Sequence, residues 1–246
     1  MSDVAVIGGS GLTMLDGLEI ERQESIDTPW GEPSAPLSHG RLEGVEVTFL
    51  ARHGVPHVIP PHRVNYRANL WALHRAGVRS IVAVAAVGGI RAEFDSGAIV
   101  VPDQIVDYTW RPGHTFFERD LDHVVHVDFT SPYCKRLRTM LLAAARRAGI
   151  DAFDGGTYAA TQGPRLESAA EIDRLERDGC DVVGMTGMPE AALARELGMS
   201  YVHCAVVSNR AAGRGTEVLT METIQSNLES GLARVRRLIS EFLTGG

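Results

Sequence analysis

Short runs of apolar, often β-branched residues recur along the chain, and longer segments with a helical pattern of apolar positions lie between them. The short runs predict strands, several of them buried on both faces. The predicted strands are Val4–Ile7, Val45–Leu50, Ser80–Val87, Ala98–Asp107, Tyr158–Thr161, Asp181–Gly184 and Tyr201–Ser208. The predicted helices are Val64–Ala76, Pro132–Ala148, Ala169–Arg177, Pro189–Leu197 and Met221–Phe242.

The alternation of strands and helices indicates an α/β fold, in which a mixed central β-sheet is flanked by helices on both faces. The sequence contains no repeat, low-complexity stretch or Pro/Ser-rich linker, so residues 1–246 are predicted to form a single domain. Residues 108–128 are the least regular segment. A long irregular segment in a compact domain is often functional, and this one is expected to move or to form an interface.

Composition narrows the classes of function. The chain has 24 basic and 31 acidic side chains and no run of Lys or Arg, which disfavours nucleic acids and anionic membranes as partners. Its single lysine, Lys135, does not follow a phosphate-binding GxxxxG motif, and Schiff-base chemistry is disfavoured. The three scattered cysteines are typical of reduced thiols in a cytoplasmic protein. No apolar run reaches the roughly 18 residues of a membrane span.

Three motifs at the ends of early strands could bind a ligand, because α/β proteins gather their sites there. Gly8–Leu12 is either a tight turn or a loop whose backbone N–H groups hold an anion. Arg52 offers a planar fork of donors that suits phosphate, and His53 could add another donor, although a solvated loop explains the pair as well. Ala85–Gly89 is either a buried turn or a place where a ligand lies against the backbone.

Three further motifs follow later strands. Thr161–Glu167 turns sharply at Gly-Pro and leaves Glu167 near the start of a helix. A carboxylate there is also stabilised simply as an N-terminal charge, so capping is a competing explanation. Val183–Glu190 and Ser208–Gly213, each taken alone, are explained equally well as core and turn residues.

In their order along the chain, these motifs resemble the trimeric purine nucleoside phosphorylases, and in particular the methylthioadenosine phosphorylase branch. The segments that carry the resemblance are GGSGL, RHG with VNYRANLWAL, VGGIR, VPDQIVDYT, DFTSPYC, GPRLE and GMTGMPE. The resemblance implies phosphorolysis, in which inorganic phosphate attacks C1′ of a purine nucleoside and releases the base and a ribose 1-phosphate. It also implies a homotrimer that needs no cofactor or metal, with phosphate as a co-substrate.

The resemblance also assigns roles to residues, matched motif by motif. The predicted phosphate contacts are Ser10, Arg52, His53, Thr186 and the Ala85–Ala86 backbone. The predicted nucleoside contacts are Gly88, Glu167, Met185 along the ribose, Asn209, Ala211 and Met221, with His126 offered to a neighbouring subunit's 5′ pocket. The predicted catalytic residues are Asn209, Glu167 and His53. The reaction develops cationic character at C1′ and negative charge on the purine, so phosphate has to be placed and the base stabilised.

Two positions depart from the adenine-specific branch, which has acidic side chains after the late strand and a serine-like residue at the position of Glu167. Asn209 can donate its amide to N7 and to a 6-oxygen, and Ala211 follows where a second acid would stand. An ionised Glu167 accepts from the N1–H of a 6-oxopurine, whereas N1 of adenine is itself an acceptor. Both positions therefore predict a 6-oxopurine base.

The 5′ end of the nucleoside is matched by Met221, at a position where inosine-cleaving enzymes have a histidine. A thioether is apolar and suits a methylthio group. Together with the base preference, this implies S-methyl-5′-thioinosine as the substrate. The alternatives are a general 6-oxopurine nucleoside phosphorylase acting on inosine and guanosine, a methylthioadenosine phosphorylase, and a nucleoside-binding protein without catalysis.

Replacing Met221 with histidine (Met221→His) is expected to raise kcat/KM for inosine relative to methylthioinosine, because an imidazole can donate to a 5′-hydroxyl and a thioether cannot. Initial rates on the two nucleosides at saturating phosphate measure the ratio. A ratio equal to that of the unchanged protein would show that Met221 does not face the 5′ group.

Overall fold

Eleven strands, five α-helices and one short 3-10 helix, Pro61–Arg63, form the regular structure of the described residues, which are 3–110, 113–119, 121–215 and 221–245 of the computed structural model. In the last helix the description leaves out the side chains of residues 221–227, 229 and 230. The strands are β1 (Val4–Gly8), β2 (Glu19–Glu24), β3 (Leu37–Leu42), β4 (Val45–Ala51), β5 (Ser80–Gly89), β6 (Ile99–Val101), β7 (Gln104–Asp107), β8 (Ala152–Asp154), β9 (Thr157–Ala160), β10 (Val182–Gly184) and β11 (Ser200–Arg210). The helices are α1 (Tyr66–Arg75), α2 (Lys135–Arg147), α3 (Ala169–Arg177), α4 (Gly187–Glu196) and α5 (Met221–Thr244).

These strands form one mixed sheet that branches at β5. Its main path runs β2-β3-β4-β1-β5-β10-β9-β7, while β11 pairs with β5 and β6, and β6 also pairs with β8. Strands β1 and β11 run parallel to β5, and β10 runs antiparallel to it. The central strand therefore has three neighbours rather than two.

Helices cover both faces of the sheet. Along β1, Ala5 and Ile7 face a core that includes residues of α1 and α4, whereas Val6 faces a second core with residues of α2 and α5. All three side chains are fully buried, as the alternation of a strand buried on both sides requires. The predicted α/β architecture is confirmed. None of the described helices combines the length and the apolar character needed to cross a lipid bilayer.

Some strands and one helix differ from the prediction. The predicted strand Ala98–Asp107 is two strands, β6 and β7, which are separated at Pro102, a residue without the N–H that a ladder needs. Strand β2 was not predicted, because its residues are mostly exposed and charged and show no apolar alternation. Helix α2 begins at Lys135 with Cys134 as its N-cap, rather than at Pro132.

A gap opens along one side of β5. Strand β1 pairs with β5 as far as Ile7 and Ala83, and β10 begins to pair at Gly88. Between them, no described strand pairs with residues 84–87 on that side, although β11 pairs with them on the other. Because β1 is parallel and β10 antiparallel to β5, the carboxyl ends of β1 and β10 point toward each other across the gap. Ligands of α/β proteins bind at such switch points.

Candidate functional site

A cavity of about 310 Å³ lies at this gap. Its walls come from the carboxyl ends of β1, β4, β5, β10 and β11 and from the turn after β9. Most of the predicted site residues line it, namely Ser10, Arg52, His53, Ala85, Ala86, Gly88, Glu167, Met185, Thr186, Asn209 and Ala211. The fold therefore brings together residues that are up to about 200 positions apart in the sequence.

Two predicted residues are not part of this wall. His126 is exposed in the irregular segment after β7 and does not line the cavity. Its predicted role concerns a neighbouring subunit, and it stays a prediction. Met221 is the first residue of α5, and its side chain lies outside the described part of the chain. Its predicted contact with the 5′ group therefore also stays a prediction.

Arg52 is fully buried and paired with a buried carboxylate. Its Nε and Nη2 each donate to one carboxylate oxygen of Glu190 at 2.8 Å, and its Nη1 donates to the Val84 carbonyl at 2.9 Å. Burial alone would lower the pKa of Arg52, but the Glu190 carboxylate outweighs burial and raises it, so the side chain stays charged. A guanidinium has five N–H groups, so two remain for a ligand.

The glycine loop after β1 is both a tight turn and part of the cavity wall. Leu12 N donates to the Gly9 carbonyl at 3.0 Å, which closes the turn, and Ser10 lines the cavity. A Cβ on Gly9 would lie 2.8 Å from the Val84 oxygen and 2.9 Å from Nη1 of Arg52. Only glycine lets β1, β5 and the guanidinium approach this closely.

Thr186 supplies a buried hydroxyl. It occupies the N-cap position of α4, but its side chain makes no capping hydrogen bond. The residue is 6% exposed, and within the described chain its Oγ1 has no hydrogen-bond partner of normal geometry. An unsatisfied buried hydroxyl is unfavourable, so this oxygen is available to a ligand in the cavity.

His53 is held by the loop that follows β4. Its Nδ1 lies 2.8 Å from the Ile59 carbonyl, and its ring stacks on His57 at 4.5 Å. A carbonyl only accepts, so Nδ1 carries the proton. Burial, and then the Arg52 cation, lower the pKa of His53 to about 4, which leaves the ring neutral near pH 7. Its Nε2 is then an acceptor, not the donor that the sequence analysis expected.

Histidines at positions 53, 57 and 62 lie close together in the sequence. Among the residues that the structure describes, no three His, Cys, Asp or Glu side chains are grouped to hold a metal ion. His57 contributes its ring to the cavity wall instead.

Glu167 faces the cavity and takes no part in capping α3. Its Oε1 accepts a hydrogen bond from Thr161 Oγ1 at 2.7 Å. The N-cap of α3 is Ser168, which forms a reciprocal capping box with Glu171. Glu167 therefore makes no capping hydrogen bond to α3, and its carboxylate lines the cavity.

Asn209 reaches the cavity through a bulge in β11. Val207 pairs with Val87 and Asn209 with Gly88, so Ser208 is an extra residue that turns the Asn209 side chain. The amide Nδ2 donates to the Arg210 carbonyl at 2.8 Å, and Oδ1 accepts from Ser208 Oγ at 2.8 Å. The Arg210 carbonyl only accepts, which fixes the orientation of the amide. One N–H, rather than the expected two, remains for a ligand.

Small residues make a flat wall beside Asn209. A Cβ on Gly88 would lie 3.1 Å from Cγ1 of Val183 and 3.5 Å from Ala211. Ala211 is 3% exposed and is held by a hydrogen bond from its N–H to the Gly89 carbonyl. A planar group can lie against this surface. Longer side chains at these two positions would fill the space that it needs.

Glu190, the partner of Arg52, was not among the residues predicted for the site. It is fully buried and also accepts from the Tyr201 hydroxyl at 2.8 Å. A signal was present, since Glu190 is the one acid in the apolar run Met188–Leu193, and an acid at a buried helical position needs a partner. The sequence did not indicate which residue that partner is.

The sequence pattern of the phosphorylase superfamily matches residues 3–244. The chain belongs to the phosphorylase superfamily.

Relatives in this superfamily are similar over nearly the whole chain. A probable S-methyl-5′-thioinosine phosphorylase from Pseudomonas syringae is 53% identical over 99% of both chains. A 6-oxopurine nucleoside phosphorylase from Pyrococcus furiosus is 43% identical over 97% of this chain and 91% of its own. Among solved structures, the methylthioadenosine phosphorylase from Schistosoma mansoni in complex with adenine has a TM-score of 0.93. It is 31% identical, over 98% of this chain and 90% of that one.

In this superfamily member, the free energy of unfolding is expected to fall as the pH drops from about 6.5 to 4. Burial and the Arg52 cation lower the pKa of His53 to about 4 and that of buried His203 to about 3. Unfolded histidine takes up its proton near 6.5, so in this window the unfolded chain binds more protons and stability is lost. Urea denaturation at stepped pH measures the effect.

The variant His203→Phe is expected to make this dependence shallower, by up to about 1.4 kcal/mol per pH unit, because one proton difference is removed. His123, an exposed histidine, provides the control His123→Phe, which should keep the original slope. An unchanged slope in His203→Phe would contradict the role of His203.

Proposed function

We propose that this chain catalyses the phosphorolysis of S-methyl-5′-thioinosine to hypoxanthine and 5-methylthioribose 1-phosphate. The observation that carries the proposal is one cavity with two chemically different ends. The phosphate end consists of Ser10, Arg52, His53 and Thr186, and the base end consists of Glu167 and Asn209. The name of the Pseudomonas relative, at 53% identity, supports the same substrate.

The spacing of the two ends suits a nucleoside with a phosphate beneath its sugar. Arg52 is bonded to the carbonyl of Val84, and Asn209 pairs with Gly88. These two positions on β5 are roughly 13 Å apart along an extended strand. Met185, between the ends, also lines the cavity and is proposed to lie along the ribose.

At the phosphate end, the available hydrogen-bond donors and the acceptor match the oxygens of hydrogen phosphate. Arg52 has two free N–H groups and Thr186 a free hydroxyl, which can donate to the bare oxygens. The neutral His53 offers an acceptor to the one oxygen that carries a proton. The nucleophile needs placing more than activating, because its charge already favours attack on the cationic C1′.

At the base end, we propose that Asn209 and Glu167 contact different atoms of the purine. The remaining N–H of Asn209 would donate to N7, where negative charge develops as the glycosidic bond breaks. The Glu167 carboxylate would accept from the N1–H of a 6-oxopurine and repel the lone pair at N1 of adenine. The reaction as proposed uses phosphate as a co-substrate and no cofactor or metal.

Assembly and location are part of the proposal. We propose a cytoplasmic homotrimer in which His126 reaches the 5′ pocket of a neighbouring subunit. The exposed position of His126, away from the cavity of its own chain, supports that assignment. The exposed apolar side chains Trp110, Val124 and Val127 in the same segment favour burial against a second copy.

A second candidate is a general 6-oxopurine nucleoside phosphorylase. The base end described above would serve inosine and guanosine equally well, and the Pyrococcus relative carries that name. The two candidates differ at the 5′ end of the nucleoside. A methylthioadenosine phosphorylase is disfavoured by Glu167 and Asn209.

A substrate panel tests the proposal. Initial rates with phosphate on methylthioinosine, inosine, guanosine and methylthioadenosine are expected to be highest on the first and lowest on the last. Highest activity on methylthioadenosine would contradict the base assignment, and highest activity on inosine would favour the second candidate. Binding without release of base, in the chain and in Arg52→Ala alike, would indicate a nucleoside-binding protein.

Asn209→Asp is expected to shift the preference toward 6-aminopurines, raising the methylthioadenosine to methylthioinosine ratio of kcat/KM by about tenfold or more. A carboxyl group can accept from a 6-amino group, whereas the amide N–H cannot. Ser208→Ala removes one of the two bonds that orient Asn209 and leaves the bond to the Arg210 carbonyl, so it should shift the ratio in the same direction but by less. If Asn209→Asp leaves the ratio unchanged, Asn209 does not contact the base.

A further inference from the structure

Glu190 lies at the centre of a buried polar cluster behind the cavity. Arg52 and Glu190 are 0% exposed and Tyr201 is 2% exposed. Both carboxylate oxygens of Glu190 accept from Arg52 at 2.8 Å, and Oε2 also accepts from the Tyr201 hydroxyl at 2.8 Å. Three strong hydrogen bonds to one carboxylate fix its position and, through it, the plane of the guanidinium.

The elements that hold Glu190 are those that build the rest of the site. Glu190 is on α4, whose N-cap residue Thr186 lines the cavity. Tyr201 is near the start of β11, the strand that carries Asn209 at its other end. The carboxylate is therefore held between two elements of the cavity wall, and its own hydrogen bonds go to Arg52 and Tyr201.

Glu190 also neutralises the positive charge of Arg52 at the phosphate end of the cavity. Arg52 is the one Lys or Arg among the described residues that line the cavity. Its charge is matched by Glu190, and His53 is neutral near pH 7. A dianion in this cavity therefore meets directed donors in a site with no net positive charge, and its affinity depends on where those donors point.

We propose that Glu190 is a positioning residue of the phosphate site, which aims the two free N–H groups of Arg52 at the nucleophile. Without its bidentate grip the guanidinium could rotate about its long side chain and lose the fixed direction of those donors. This inference rests on the proposed function, since it takes the cavity to bind phosphate.

The test measures the affinity of the whole protein for inorganic phosphate by titration calorimetry, without nucleoside. Glu190→Gln keeps the shape of the side chain and removes its charge. We expect its dissociation constant for phosphate to rise by about 10- to 100-fold, the effect of losing charge-assisted hydrogen bonds. KM for the nucleoside at saturating phosphate should change by less than about threefold, because the base end is untouched.

A milder pair of variants keeps the ion pair intact. Tyr201→Phe removes the hydroxyl that holds Glu190 and is expected to weaken phosphate binding by about 2- to 10-fold. Tyr133→Phe is the matched control. Tyr133 is also a buried tyrosine and stacks on Tyr201 at 6.1 Å, but its hydroxyl has no hydrogen-bond partner in the described chain. Its variant should bind phosphate as the unchanged protein does.

The outcomes separate this inference from the proposed function. If the unchanged protein does not bind phosphate, both fail. If it binds phosphate and Glu190→Gln binds equally well or more tightly, only the role of Glu190 is overturned, and tighter binding would show that cancelled charge matters more than direction. Should Glu190→Gln not fold, the comparison of Tyr201→Phe with Tyr133→Phe decides, and equal affinities overturn the inference.

Discussion

The branched pairing of β5 is the constraint on which the site depends. One edge of this strand is shared by a parallel neighbour, β1, and an antiparallel neighbour, β10, which stop short of each other. On this edge no described strand pairs with residues 84–87, which leaves a carbonyl at Val84 that accepts from Arg52 and a backbone that a ligand can approach. The sheet thus opens a cavity with a few polar side chains within an apolar interior, while most of its buried backbone groups stay paired.

A buried ion pair in such an interior is poor evidence of stability, because desolvation of two charges offsets most of their attraction. Arg52 and Glu190 would be replaced by apolar residues at little cost if packing were their only role. Their position beside a cavity lined by Ser10 and Thr186 instead supports the proposed recognition of an anion. The state of His53 fits the same explanation. Burial keeps its ring neutral, and because Nδ1 carries the proton, Nε2 is an acceptor.

The sequence predicted the fold class, because strand ends, small residues and glycine turns have local signatures. Most residues of the cavity wall were predicted from the resemblance of the motifs to the trimeric purine nucleoside phosphorylases, since each motif taken alone was also explained as a core or turn segment. The sequence did not predict β2, β3 or β8, and in β2 tertiary pairing forms a strand from a segment in which five of six residues are polar. It gave no role to Glu190, since the match of a buried acid to a buried base depends on a contact across 138 residues. The direction of the His53 proton and the single free N–H of Asn209 depend on backbone carbonyls, which no side-chain pattern records.

The hydrogen bonds within the site also decide how specificity for the base can arise. Ser208 and the Arg210 carbonyl hold the Asn209 amide in one orientation, so it cannot turn to present its oxygen to a 6-amino group without losing both bonds. Glu167 is held by Thr161 and not by the helix that follows it. A pair fixed in this way discriminates by leaving buried polar groups unmatched when the wrong base enters, which is a stronger filter than shape alone. Under the proposed function, rejection of adenine would depend on the hydrogen bonds that hold Glu167 and Asn209 in place as much as on the two side chains themselves.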